Sequence, residues 1–240
     1  MSRNRTLVIG WVAALVAIAL FVNLGLWQSR RAVEKQAMLD AAAAVMADRT
    51  PQPLSLAGDA ARAREYDWVA GSGTFDARDA LLLDNQQRNR RAGVRVYRIF
   101  VPAQGAPMLV DLGWLPLSGD RKLPGIPNLD APQALRGLLV PPPSSGLALG
   151  PAMAKQGDVW LMTRVDLAAI ASETGLSVPL APRVLRLDPD LRIGYERDLE
   201  LLPNTLPPDQ HRGYAVQWFA LAAAVLATAL ILTFRKRRRP

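Results

Sequence analysis

The chain contains no cysteine, and its only histidine is His211. The first absence excludes a disulfide framework, a CxxC redox pair and the CxxCH motif that attaches haem covalently. The second excludes a zinc or copper site of the usual Cys/His kind, which one imidazole cannot build. A Ser-His-Asp hydrolase would have to use His211, which stands in no G-x-S-x-G context. "GSGTF" at Gly71 to Phe75 lacks the last glycine of a dinucleotide loop, and no phosphate-loop lysine is present. "DPD" at Asp188 to Asp190 reads as a turn. A catalytic centre of the soluble-enzyme type is therefore not expected, and the chain is read as not being an enzyme.

Charge is scarce in two places. From Tyr214 to Phe234 there is no charged residue, and none from Thr6 to Leu26. Each run is long enough, at about 1.5 Å per residue, to cross the roughly 30 Å hydrocarbon core. Arg3 and Arg5 precede the first run, which is longer than the apolar region of a cleaved signal peptide and reads as an uncleaved signal anchor. Arg235 to Arg239 close the second run. These two basic ends supply almost all of the net charge of +8. Their placement marks membrane topology and contact with anionic lipid, not a nucleic-acid interface, which would spread basic residues and aromatics over a folded face. The expected organisation is a first transmembrane helix at 6–26, a periplasmic domain at 27–213, a second transmembrane helix at 214–234 and a basic cytoplasmic tail at 235–240. Both termini are then cytoplasmic, in a bacterial inner membrane.

The segment between the runs reads mostly as strands. "EYDWVAGSGTF", "DALLLDNQ", "QALRGLLV", "VWLMTRV" and "RVLRLD" carry alternating or short apolar patterns, and "GVRVYRIFVPAQGAPMLVDLGWLP" is a hairpin around "PAQGA". A short helix is expected at "DLAAIASETG", with Asp166 as N-cap and Gly175 as its stop. The first membrane helix is expected to continue through "SRRAVEKQAMLDAAAAVMAD" to Thr50-Pro51, and "VPPPSSGLALGPAM" is a loop. The fold class is two transmembrane α-helices flanking a mostly antiparallel β external domain, sandwich or barrel, α+β overall.

"LGLWQSRRAVEKQ", "GTF" followed by "LLLDNQQRNRRAGVRVY", "MLVDLGWLP" and "HRGYAVQWFALA" occur in that order and in this topology. In these stretches the chain resembles the surfeit locus protein one family of cytochrome c oxidase assembly factors. One departure stands out: Asp111 and Leu112 occupy the place of an Asn-Arg-like pair before Gly-Trp, so no role of that arginine carries over. The resemblance implies a part in haem–copper oxidase biogenesis, with oxidase subunit one and other assembly factors as partners alongside membrane lipid. It also implies transient, non-covalent binding of haem a, which needs no cysteine.

On that expectation His211 is the candidate ligand of the haem iron. His211, Tyr214, Ala215, Trp218 and Ala222 follow helical spacing, and alanines beside Trp218 suggest a slot for a flat ring. Gly25 would let the two helices approach closely. Trp27, Arg30, Arg31 and Arg212 fall at a similar depth, where guanidinium groups can meet propionates. Other readings stay open. The aromatics can form an interfacial belt, the arginines can snorkel, and His211 can cap its helix. The whole protein can be a scaffold for nascent oxidase subunits that never touches haem, or an unrelated two-helix membrane enzyme.

Overall fold

The computed structural model describes residues 3–129, 131–144, 150–201 and 205–234. The basic tail 235–240 and the middle of the "VPPPSSGLALGPAM" loop lie outside them. The chain divides into two compact units, Met1–Asp40 with Thr205–Pro240 and Ala41–Asn204.

The first unit is a pair of helices. α1 covers Arg3–Asp48 and α3 covers Pro208–Phe234, and both are long and apolar enough to cross a membrane. Along α1 the sheltered positions are Trp11, Ala14, Ile18, Phe21 and Gly25, then Gln28, Ala32 and Lys35. On α3 they are Pro208, His211, Ala215, Trp218, Ala222 and Val225. Both series step by three and four, which keeps one stripe facing a partner helix over many turns. The pairing is antiparallel. Trp11 Nε1 donates to Thr233 Oγ1 at 3.0 Å at one end, and the His211 ring meets Gln28 at 2.6 Å near the other.

α1 runs unbroken through the expected membrane segment and its extension. It stops where Arg49 adopts a left-handed φ of 50° and its N–H returns to Val45 O at 2.9 Å, just before Pro51.

The second unit is built on a sheet. Its strands are β1 Gln52–Pro53, β2 Asp67–Phe75, β3 Ala80–Arg88, β4 Arg91–Pro102, β5 Met108–Pro116, β6 Gln133–Val140, β7 Met153–Gln156, β8 Val159–Met162 and β9 Val184–Leu187. They lie in the order β1-β2-β6-β9-β5-β4-β3-β8-β7, and a further pairing of β2 with β4 closes a five-stranded ring, β2-β6-β9-β5-β4. The expectation of a mostly antiparallel domain is corrected: the sheet is mixed, with parallel pairs β1/β2, β3/β8 and β5/β9. An odd number of strands cannot alternate direction all the way round a closed ring, so at least one neighbouring pair must run parallel. β9 takes that place by entering between β6 and β5.

Local chemistry shapes the ends of the elements, in a β3–β4 turn that was not expected and a short helix that was. Asn89 and Arg90, both with positive φ, make the tight β3–β4 turn. The short helix α2, Leu167–Glu173, is capped by Asp166, whose carboxylate accepts from Ala169 N at 3.1 Å, and Gly175 follows it at φ 68°.

Strand alternation yields two cores. Val69, Val96, Val110, Leu139 and Leu185 meet inside the ring. Tyr97, Leu109, Leu138 and Val184 face the other way, onto Ala42 and Val45 at the end of α1 and Ile170 of α2. The "DLGWLP" stretch sits where β4 and β5 slip register between Val96 and Tyr97. Gly113 has φ 114°, and a Cβ there would lie 2.8 Å from the carbonyl oxygens of Tyr195 and Glu196. Both conditions demand glycine. Gly113→Ala is expected to destabilise the protein by about 2 kcal/mol, a fall in Tm of roughly 4–8 °C by thermal unfolding in detergent. An unchanged Tm would mean that the backbone there relaxes freely.

Candidate functional site

His211 lies in the first turn of α3, behind Pro208, whose ring suits a helix start because no N–H is needed there. Its own N–H reaches back to Pro207 O at 3.4 Å. The ring is buried, with 5% of its surface exposed. Nδ1 lies 2.6 Å from Gln28 Oε1 of α1, and because a carboxamide oxygen can only accept, a hydrogen bond between these two atoms requires the proton on Nδ1. Nε2 is buried and has no hydrogen-bond partner among the described residues. Lys35, two turns from Gln28 along α1, donates to Leu206 O at 2.5 Å and ties the chain just ahead of α3 to α1.

The other expected site residues divide between the seam and the outer faces of the pair. Trp218 is half-buried and stacks on Phe21, with ring centroids 5.7 Å apart and 28° between planes. The slot beside it is thus filled by a side chain of α1. Gly25 is buried, and the ring of Phe219 occupies the space a side chain would take: a Cβ on Gly25 would lie 2.6 Å from Phe219 Cε1. The glycine therefore receives an aromatic knob.

Trp27 and Tyr214 are 56% and 42% exposed. Arg30 is exposed. Arg31 pairs with Glu34 at 3.0 Å and Arg212 with Asp209 at 2.6 Å, both on the helix surface. The seam thus brings His211 to Gln28 and leaves Trp27, Tyr214, Arg30, Arg31 and Arg212 on outward faces. Gln28 and Phe219 were missed from sequence. Gln28 stands in the "LGLWQ" stretch, and its spacing of three from Gly25 and four from Ala32 is the signal that places it on the seam. At the far end of the same helices an apolar cleft of about 550 Å³ opens between Gly10, Trp11, Ala14, Leu221, Val225 and Ala229.

A second cluster of charge lies in the sheet unit. Asp111 is buried and binds Arg95 at 2.6 Å and Arg186 at 3.6 Å. Arg88 binds Glu196 and Asp198, and a polar cavity of about 280 Å³ opens beside Arg88, Arg95, Trp114 and Asp198. Burial raises the cost of charging Asp198, but hydrogen bonds from Arg88 and the Glu200 backbone outweigh it and hold the carboxyl below its ordinary value. Burial pushes the Tyr97 phenol far up. The ion pairs of Asp111, Glu196 and Asp198 with Arg95, Arg186 and Arg88 make a braced polar network beside the buried Tyr97. The neighbouring Leu112 is buried in the ring core, so this chain offers no cation at that place in the motif.

No curated protein matches the chain. A profile of the SURF1 family matches residues 15–223. The chain belongs to the SURF1 family. This SURF1 match begins within α1 and ends within α3, so it takes in both helices and the whole sheet unit. The SURF1 family is associated with cytochrome oxidase assembly and is a family of assembly factors, not a known enzyme class.

Packing of the SURF1 helix pair can be tested at Gly25. Gly25→Ala forces the Phe219 ring out and is expected to lower the Tm of the detergent-solubilised protein by about 2–4 °C, roughly 1 kcal/mol. Adding Phe219→Ala to the same chain should recover much of that loss. Equal, additive losses in the double variant would show that the two residues do not share one space.

Proposed function

We propose that this chain is a membrane-anchored carrier in cytochrome c oxidase assembly that holds haem a transiently, without a covalent bond, and aids its insertion into oxidase subunit one. The observation that carries this reading is the state of the sole imidazole: Nδ1 is anchored on Gln28, and Nε2 is buried with no hydrogen-bond partner among the described residues. An orphaned polar atom of this kind costs roughly 1–3 kcal/mol, and a ligand that accepts its lone pair repays that cost. Bound haem a supplies an iron centre, for which a neutral imidazole nitrogen is an ordinary axial ligand.

The chain's own residues then divide the work. His211 offers the lone pair. Arg30, Arg31 and Arg212 offer guanidinium groups to carboxylates, and the surface pairs Arg31–Glu34 and Arg212–Asp209 are weak enough to be exchanged for such contacts. Trp27 and Tyr214 present exposed aromatic faces at the same end of the helices. Because Nε2 is covered, the first turn of α3 must lift from α1 before a ligand reaches it, and the Lys35 bond to Leu206 O is one of the ties that must loosen. A ligand reached by such a movement can also be given up by it, as handover requires. In this reading the sheet unit lies in the periplasm of a bacterium, and both termini are on the cytoplasmic side of the inner membrane. Oxidase subunit one and other assembly factors are its partners. In this reading the charged residues around Asp111 serve the fold, since each is held by an opposite charge.

The burial of His211 and the stacking of Trp218 on Phe21 favour a second reading, in which the imidazole is a structural tie between helices and the protein is a scaffold for nascent oxidase subunits. The two separate under substitution. In protein co-expressed with haem a synthesis and purified in detergent, the wild type is expected to show a haem absorption spectrum. His211→Ala and His211→Asn are both expected to lose or greatly weaken it while remaining in the membrane, since Asn can cap a helix but is a poor iron ligand. Full haem retention by the Ala variant would remove His211 from the mechanism, and a colourless wild type would favour the scaffold.

Topology is tested separately. Reporter fusions at Pro51 and at Pro240 are expected to report opposite sides of the membrane. The same side for both would refute the two-span arrangement.

A further inference from the structure

Most polar groups in the helix pair are satisfied locally. Ser29, Thr228 and Thr233 each return a hydroxyl to the carbonyl one turn back on their own helix. The His211–Gln28 contact joins two side chains on different helices, as Trp11–Thr233 does, and it also decides a chemical state. A neutral imidazole has two tautomers, and the partner of one nitrogen determines which nitrogen keeps the lone pair. In free histidine the proton prefers Nε2. Here a proton on Nε2 would be a buried donor without an acceptor, since no described atom lies within hydrogen-bonding reach of Nε2. A proton on Nδ1 is accepted by Gln28 Oε1 at 2.6 Å. A buried orphan donor is rarer and costlier than an orphan acceptor.

We infer that Gln28 is a positioning residue that locks His211 in the Nδ1–H tautomer and so presents Nε2 as the ligating atom. Metal-bound histidines commonly carry such a partner on the other nitrogen, and it both orients the ring and raises its basicity. Gln28 is suited to this work. Its carboxamide oxygen accepts the proton without adding a charge to the seam, whereas a carboxylate would have to be charged inside a poorly solvated helix pair. Its position, one helical turn beyond Gly25, lets it reach His211 while the Phe219 ring fills the gap at Gly25. The use of the lone pair rests on the haem-carrier reading, but the tautomer does not.

The chain's single histidine makes the test direct. Full-length protein labelled with 15N only in histidine, and purified in detergent through a tag that contains no histidine, gives one imidazole. In mildly alkaline, haem-free buffer the expected pattern is a protonated Nδ1 and an unprotonated Nε2. Gln28→Leu, of similar size but without an acceptor, is expected to shift the proton largely to Nε2. Gln28→Glu keeps an acceptor oxygen and is expected to restore the Nδ1 proton, which separates loss of the hydrogen bond from loss of the fold. In haem-loaded protein, Gln28→Leu should weaken haem retention by roughly 10- to 100-fold and lower the iron–histidine stretching frequency of the ferrous form, and Gln28→Glu should raise that frequency. A wild type with its proton on Nε2, or a Gln28→Leu protein with an unchanged pattern, overturns the inference. An Nδ1 proton in the wild type that is lost in Gln28→Leu, together with full haem retention by His211→Ala, supports the tautomer assignment and overturns the carrier reading instead.

Discussion

Hydrocarbon offers no water to hydrogen-bond, so two helices that cross it must hold one another by packing and by polar contacts that they supply themselves. The α1–α3 pair, whose helices are long and apolar enough to cross it, is joined by few polar groups. Trp11 and Thr233 tie one end, and Lys35, Leu206, His211 and Gln28 tie the other. Between them small and aromatic residues interlock, with Phe219 seated at Gly25 and Trp218 stacked on Phe21. Against that economy the bare Nε2 of His211 stands out, because a seam built only for stability would satisfy or omit it.

The sheet unit solves a different problem. A five-stranded ring leaves no open edge among its members, and its odd number of strands requires the parallel β5/β9 seam. The register slip beside Gly113 lets the chain at Tyr195 and Glu196 lie against β5, with Tyr195 N bonded to Leu112 O at 2.7 Å and Trp114 N to Glu196 O at 2.8 Å. Around that junction Arg88, Arg95 and Arg186 are held by Glu196, Asp198 and Asp111. Breaking one member of such a buried network leaves a charge uncompensated, so its charged residues are tied to the fold whatever else they do. Asp111 is held in this way by Arg95 and Arg186.

The two units therefore carry polar chemistry for different reasons. In the sheet unit each buried carboxylate has a guanidinium partner, and the network braces the ring. In the helix pair one ring is bonded at Nδ1, and its Nε2 is buried without a hydrogen-bond partner among the described residues.

Some of this was legible from the residues alone. The two apolar helices, the end of α1 before Pro51, the α2 cap at Asp166, the β4–β5 hairpin and most strands follow from hydrophobic period, capping and turn chemistry, which act over a few residues. His211 stood out as a candidate because it is the only histidine. The parallel seams, β7, the knob of Phe219 at Gly25, the filled slot at Trp218 and the role of Gln28 were not. Each is a pairing between segments far apart in the chain: Gln28 and His211 are 183 residues apart, and β9 is inserted between strands that precede it. Local sequence determines which face an element buries. Which residue it meets there is decided by closure of the ring and by the register of two helices, and those are set only when the whole chain packs.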